Sequence, residues 1–183
     1  MPKHYLVVDL EGTCCDDGSL PNEERETIEI GGVLVMCPGV IVHDFETCVR
    51  PVRHPKLTPF CTELTGIAQF MVDEAPLFPA ALSNMECWLK PYRQDIGCFV
   101  SWGKYDWQQL KRDCAYHGIP YPFNFGCRNL AGVSKPFVGR MNKRRIMQRF
   151  GIVQQGRRHR GLDDARNYAR IVCAMLKAGW LPS

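Results

Sequence analysis

HYLVVDLEGTCCDDG, residues 4–18, runs through an apolar stretch, delivers two carboxylates, Asp9 and Glu11, and breaks into a loop of small and acidic residues. The apolar run reads as a buried strand. Side chains two residues apart share one face of a strand, so Asp9 and Glu11 are neighbours and Leu10 points the other way. Two like charges held side by side cost free energy unless a proton or a cation lies between them. The strand thus commits the chain to a sheet whose end carries an unbalanced pair of acids.

The segments that follow extend the sheet. TIEIGGVLVM (27–36) and VIVHDFETCVR (40–50) are rich in β-branched residues, and Pro38-Gly39 supplies a turn between them. Together with the first strand they predict a meander of three antiparallel strands. After Pro51 the texture becomes helical. In TPFCTELTG, Thr58 suits an N-cap, Pro59 the first helical position and Gly66 a stop. LFPAALSNMECWLK (77–90) is amphipathic; GCFVSW (97–102) is a short buried strand; YDWQQLKRDCAYHG is a helix ended by Gly118 and Pro120. A basic helix is expected over 140–150, and a last helix over LDDARNYARIVCAMLKAG with Gly179 as its cap. Strands first, then alternating helices and strands, predict an α/β domain: a mixed sheet with helices on its faces.

Composition narrows the classes. The 183 residues suit one domain, 45% hydrophobic and 23% charged. No apolar stretch approaches the roughly 20 residues that span a bilayer, and the N-terminus lacks the pattern of a signal peptide. The ten cysteines include no C-x-x-C pair and no cluster with zinc spacing, so they are expected to be buried thiols in a reducing cytoplasm. Charge is split along the chain. Residues 1–91 hold 6 of the 23 basic and 14 of the 19 acidic residues, a balance of −8; residues 92–183 hold 17 and 5, a balance of +12, giving the net +4. An acidic half suits cations and a basic half suits polyanions.

Two further acids answer Asp9 and Glu11. Asp106 starts a helix directly after the buried GCFVSW strand and shares a helix face with Leu110 and Cys114, so it should point inward. In HRGLDD, register separates the adjacent aspartates. Asp164 heads the apolar row Tyr168, Ile171, Met175, whereas Asp163 heads the polar row Asn167, Arg170 and reads as an exposed N-terminal acid. An acid leading an apolar face needs a partner. His159, five residues before Asp164, would lie roughly 140° away on a continuous helix. It must therefore approach from the preceding loop. Four clustered carboxylates require cations, and all-oxygen donors select Mg²⁺ or Mn²⁺ over zinc. Two such ions suit phosphodiester cleavage, with a histidine taking the proton from the attacking water.

Asp9-x-Glu11, Asp106 and His159-x-Gly161-x-x-Asp164 together resemble the DEDDh exonucleases. DLEGTC (9–14), FCTELTGI (60–67) and HRGLDDARNYARI (159–171) are most similar to the Eri-type branch, and the match covers nearly the whole chain in order. The resemblance implies an RNase H-like fold and 3′-to-5′ removal of nucleotides by two-metal hydrolysis. It makes Asp9, Glu11, Asp106 and Asp164 metal ligands and His159 the general base. It also places Phe60 and Tyr105 where family members stack the 3′-terminal nucleotide, and Leu64 and Thr65 where they touch its base and sugar. Many relatives have Trp at the position of Tyr105. An aromatic platform holds an unpaired base whatever its identity.

Arg144, Arg145, Arg157 and Arg158, in GRMNKRRIMQRFG and QGRRHRG, are candidates for the phosphates of the strand. The expected partner is nucleic acid with a free 3′ end; these residues do not choose between RNA and DNA, and the Eri-type likeness favours RNA. Residues 1–183 are expected to be a single bare nuclease domain, monomeric or homodimeric, without the extra nucleic-acid-binding domain of the histone-mRNA relative. DLEGT also resembles the D-x-D-G-T loop of haloacid dehalogenase-type phosphatases, but the second motif of those enzymes, G-D-x-x-x-D, is missing and HRGLDD would have no role. A binding module that has lost catalysis is the third class; it would be expected to have lost one of the five residues, and all five are present.

Overall fold

Alternation along β1 (His4–Gly12) assigns the two faces of the sheet. The structure, a computed structural model, describes residues 4–139 and 141–180. β1 pairs antiparallel with β2 (Thr27–Met36), which pairs antiparallel with β3 (Val40–Cys48). This is the expected meander, and the Pro38-Gly39 turn closes its second hairpin. On its other edge β1 runs parallel to β4 (Ile96–Ser101), and β4 runs parallel to β5 (Gly126–Asn129), giving the order β3-β2-β1-β4-β5. β5 has no counterpart in the sequence reading. GCRN lacks a β-branched or alternating pattern, and only its pairing with β4 makes it a strand.

Three helices precede β4: α1 (Pro59–Thr65), α2 (Gln69–Asp73) and α3 (Phe78–Leu89). α4 (Tyr105–Tyr116) follows β4. After β5 come the short α5 (Leu130–Val133) and α6 (Lys135–Val138), then α7 (Lys143–Arg149) and the long α8 (Gly161–Lys177). α1 begins and ends as its residues dictate. Thr58 Oγ1 accepts the Cys61 N–H at 3.0 Å, Pro59 takes the first turn, and Gly66 adopts φ 72° to close it. The basic helix is shorter than the expected 140–150, because Asn142 caps the Arg145 N–H at 3.0 Å and fixes its start; residue 140 lies outside the described residues.

Tyr5 and Val7 of β1, with Val33, Val35, Cys98 and Val100, face α8 and pack on Ala165, Ala169, Val172 and Met175. Leu6, Val8 and Leu10, with Ile30, Leu34 and Phe99, face α3 and α4. Each such fully buried aliphatic side chain is worth about 1.5–3 kcal/mol relative to exposure. By the same alternation Asp9 and Glu11 lie on the α8 face. All ten cysteines are free; Cys14, Cys61, Cys98 and Cys114 are buried, but Cys87 is exposed and five are intermediate, so burial is less general than their apolar context suggests. Among the described residues no helix is long and apolar enough to cross a membrane.

Candidate active site

β1 outruns its parallel neighbour, and the site lies where it does so. Parallel pairing with β4 ends at Val7–Val100, and β4 itself ends at Ser101 while β1 runs on to Gly12. Beyond that point the Leu10 N–H donates to Asp106 Oδ1 at 3.0 Å. Asp106 is buried in the first turn of α4, on the face shared with buried Leu110 and Cys114, as its register predicted. Its neighbour Tyr105 brings its hydroxyl against Gly12 at the end of β1, 2.7 Å from where a Cβ on that residue would stand.

Asp164 reaches the same place from above because α8 starts in backbone contact with the sheet. A Cβ on Gly31 would lie 2.1 Å from the Gly161 carbonyl carbon, and one on Gly161 would lie 3.1 Å from the Asp9 carbonyl oxygen. Glycine at both positions lets the helix rest on the strands. Buried Asp164 then uses both oxygens. Oδ1 lies 2.7 Å from Lys143 Nζ, and Oδ2 accepts the His159 N–H at 2.9 Å. His159 stands on the loop before α8, exposed and with a left-handed φ of 58°. One ligand atom from each of Glu11, His159 and Asp164 lies within 4.8 Å of the others.

The acids push one another upward. Burial, then Asp106, Glu11 and Asp164, hold the Asp9 carboxyl well above its ordinary range, with Lys143 opposing them. Burial, then Glu29, Asp164 and Asp106, raise Glu11 to about 8. Burial raises Asp106 to about 6, against the Leu10 hydrogen bond. A pocket of oxygen donors that resist ionisation fits hard divalent cations, which remove the repulsion while keeping the acids ionised.

A stability prediction follows from the signs. A carboxyl raised from 4.5 to about 8, as Glu11 is, keeps its proton in the folded chain where the unfolded chain has lost it. Its contribution is full below pH 4.5 and lost as pH rises to about 8. In chelator the melting temperature is therefore expected to fall across this range. Added Mg²⁺ or Mn²⁺ should restore it, more at pH 8 than at pH 5. A chelated protein whose melting temperature is flat with pH, and insensitive to either ion, would count against a metal centre.

Of the other predicted contacts, Phe60 and Leu64 are half-buried on α1, which meets the end of β1 through Cys61 Sγ, 3.7 Å from the Gly12 carbonyl oxygen. Phe60 and Tyr105 thus belong to elements that both touch Gly12. Thr65 differs from expectation. Its side chain is fully buried, donating to the Cys61 carbonyl at 2.8 Å and accepting from the Ile67 N–H at 3.1 Å, so its hydroxyl closes the helix rather than facing a ligand. Arg157 is also committed within the fold: Nη2 donates to the Glu63 carbonyl at 2.9 Å and the guanidinium covers Gly66. Arg145 is exposed, while Arg144 and Arg158 line a cavity of about 310 Å³ with Lys143, Met147, Ile152 and Val153.

The polar row of α8 is less polar in its surroundings than its spacing implies. Asn167 is fully buried and donates to the carbonyls of Gln155 and Asp163, both at 2.8 Å. Asp163 is half-buried rather than exposed, and its Oδ2 accepts the Arg157 N–H at 2.8 Å. Both residues fasten the loop that carries His159. Two residues escaped the sequence reading altogether. Lys143 is one of several basic residues in its stretch, and nothing local singles it out. Glu29, fully buried opposite Glu11, did leave a signal: an acid inside the apolar run TIEIGG.

Known proteins resemble this chain over nearly its whole length. The family model described as exonuclease (RNase T) matches residues 6–172. The chain is 31% identical over 200 residues to ERI1 exoribonuclease 2 of Xenopus laevis, covering 97% of this chain and 29% of that protein. It is 33% identical over 201 residues to human ERI1 exoribonuclease 3, covering 97% and 55%. The chain thus spans about a third to a half of the length of these curated relatives. Among solved structures, the nuclease domain of 3′hExo, a DEDDh family member bound to rAMP, superposes with a TM-score of 0.87 at 30% identity, covering 97% of this chain and 94% of that one.

Proposed function

The chain belongs to the exonuclease family and, within it, to the DEDDh group, and from that premise we propose that it removes nucleotides one at a time from the 3′ end of single-stranded RNA. The observation that carries the reading is the convergence of Glu11, His159 and Asp164 within 4.8 Å beside Asp9 and Asp106. The names of the relatives, exoribonucleases, and the rAMP held by the 3′hExo domain support RNA as the substrate class.

Asp9, Glu11, Asp106 and Asp164 would hold two divalent ions, Mg²⁺ or Mn²⁺, which when bound supply Lewis acidity at the phosphate and lower the pKa of a water. His159 takes a proton from the attacking water as its oxygen bonds to phosphorus. The bond from phosphorus to the 3′ oxygen of the preceding nucleotide breaks and that oxygen takes a proton from solvent, leaving a nucleoside 5′-monophosphate and a strand shortened by one, again ending in a 3′ hydroxyl. Being exposed, His159 can pass its proton to solvent. Phe60 on α1 and Tyr105 at the start of α4 receive the terminal nucleotide, with Leu64 against its base. Lys143, Arg144 and Arg158 set positive charge along the cavity beside Asp164, where the phosphates of the remaining strand run.

The test uses 5′-labelled single-stranded RNA and DNA of one sequence with Mg²⁺ or Mn²⁺. A ladder shortening by one nucleotide from the 3′ end, faster on RNA, is the expected result. A folded, metal-bound protein that shortens neither strand would overturn the nuclease reading, and a faster DNA ladder would overturn the choice of RNA.

A further inference from the structure

A carboxylate buried in the middle of a sheet is costly unless its charge and lone pairs are matched. Glu29 of β2 is such a residue: its exposure is 0%, and it faces the α8 side beside Glu11. Its two oxygens are fully engaged by the two residues that follow His159. Oε1 accepts from Arg160 Nε at 2.9 Å and Nη2 at 2.7 Å, and Oε2 accepts the Gly161 N–H at 2.5 Å. Arg160 is held from a second strand as well, with Nη2 3.0 Å from Glu46 Oε1 on β3.

His159 needs this restraint. A non-glycine residue at φ 58° is strained by roughly 1–2 kcal/mol and persists only where its surroundings fix it. Upstream, Asp163 holds the Arg157 N–H at 2.8 Å; at the residue itself, Asp164 holds the His159 N–H at 2.9 Å. Both of those bonds come from α8, the helix the loop leads into. Glu29 and, through the same guanidinium, Glu46 tie the loop to the sheet; Glu29 does so from the strand paired with β1, beside Glu11.

We propose that Glu29, acting through Arg160 and the Gly161 N–H, is a positioning residue that fixes His159 over the carboxylates. Resting on the reading of His159 as the base, the proposal assigns Glu29 no contact with substrate. Its acceptor oxygens are already taken by Arg160 and Gly161, so it is not a further donor to a cation.

The deciding variant is Glu29→Gln, which keeps the side-chain volume and removes the charge opposite Arg160. Two measurements separate the clamp from the chemistry. Amide hydrogen exchange at Gly161 should accelerate by about tenfold or more while the amides of β1 stay protected. On labelled RNA, kcat should fall by roughly 10–100-fold, the range for a lost orienting partner, with KM within about twofold. In a His159→Ala background, Glu29→Gln should add less than about a twofold loss.

Unchanged Gly161 exchange, or an equal loss of kcat with and without His159, would overturn the proposal. Arg160→Lys, which keeps the charge but loses the two-pronged contact, is the second variant if Glu29→Gln does not fold, and should give the same pattern at smaller amplitude. A wild-type protein that releases no nucleotides would overturn the nuclease reading instead; the exchange measurement still decides whether the clamp exists.

Discussion

Asp164→Ala is expected to abolish nucleotide release, lowering the rate on the order of 10³-fold or more, while the protein stays folded. Asp164 is asked to do three things at once. It would supply an oxygen to the cations, and it holds the His159 N–H at 2.9 Å and balances Lys143 at 2.7 Å. Several kcal/mol of transition-state stabilisation depend on such a centre, and each ~1.4 kcal/mol is a decade in rate. Stability should respond differently from activity. Removing one acid relieves repulsion on Asp9, where Asp164 is among the charges that hold its proton, but it leaves Lys143 Nζ and the His159 N–H without their acceptor, a cost of about 1–3 kcal/mol. In chelator the melting temperature should therefore lie below that of the wild type, with the protein still folded. The rise on adding Mg²⁺ or Mn²⁺ should shrink or vanish. Full activity of Asp164→Ala with added Mg²⁺ would end the two-metal proposal; a normal cation-induced rise in melting temperature would remove Asp164 from the ligand set.

His159→Ala is expected to slow turnover by ~10²–10⁴-fold, the range for losing a general base, with single-strand affinity unchanged. The separation of the two quantities comes from position. His159 is exposed on its loop and contributes its main-chain N–H to Asp164 whatever its side chain. Truncation therefore removes a proton acceptor without removing a wall of the site. Single-turnover rates and fluorescence anisotropy on the same RNA measure both. An unchanged rate would return His159 to a structural role, and a large loss of affinity would make it a substrate contact instead.

Much of this fold is written locally in the chain. The meander, α1 with both its ends, α3, β4, α4 and α8 all follow from patterns that repeat every two or 3.6 residues, and such patterns are local. The same periodicities placed Asp9 with Glu11 on one face, turned Asp106 inward with Leu110, and chose Asp164 over Asp163 as the acid at the core. β5 was unreadable because its strand character comes from the edge of β4 rather than from GCRN. The full depth of burial at Asn167 was unreadable for a related reason: helix register gives the direction of a side chain, and Gln155, in the loop before α8, is what closes over it.

Strand and helix geometry fix where neighbouring side chains point, so the secondary structure around the site and the inward aim of its four acids follow from local residue order. Which partners the buried acids meet depends on packing between distant segments. Lys143 reaches Asp164 across 21 residues, Asp106 takes the Leu10 N–H across 96, and Glu29 takes the Gly161 N–H across 132. That packing also turned Thr65 inward, committed Arg157 to α1, and set His159 at a strained φ. No local spacing encodes contacts over such separations; those made by the start of α8 exist because Gly31 and Gly161 let it settle directly onto the sheet.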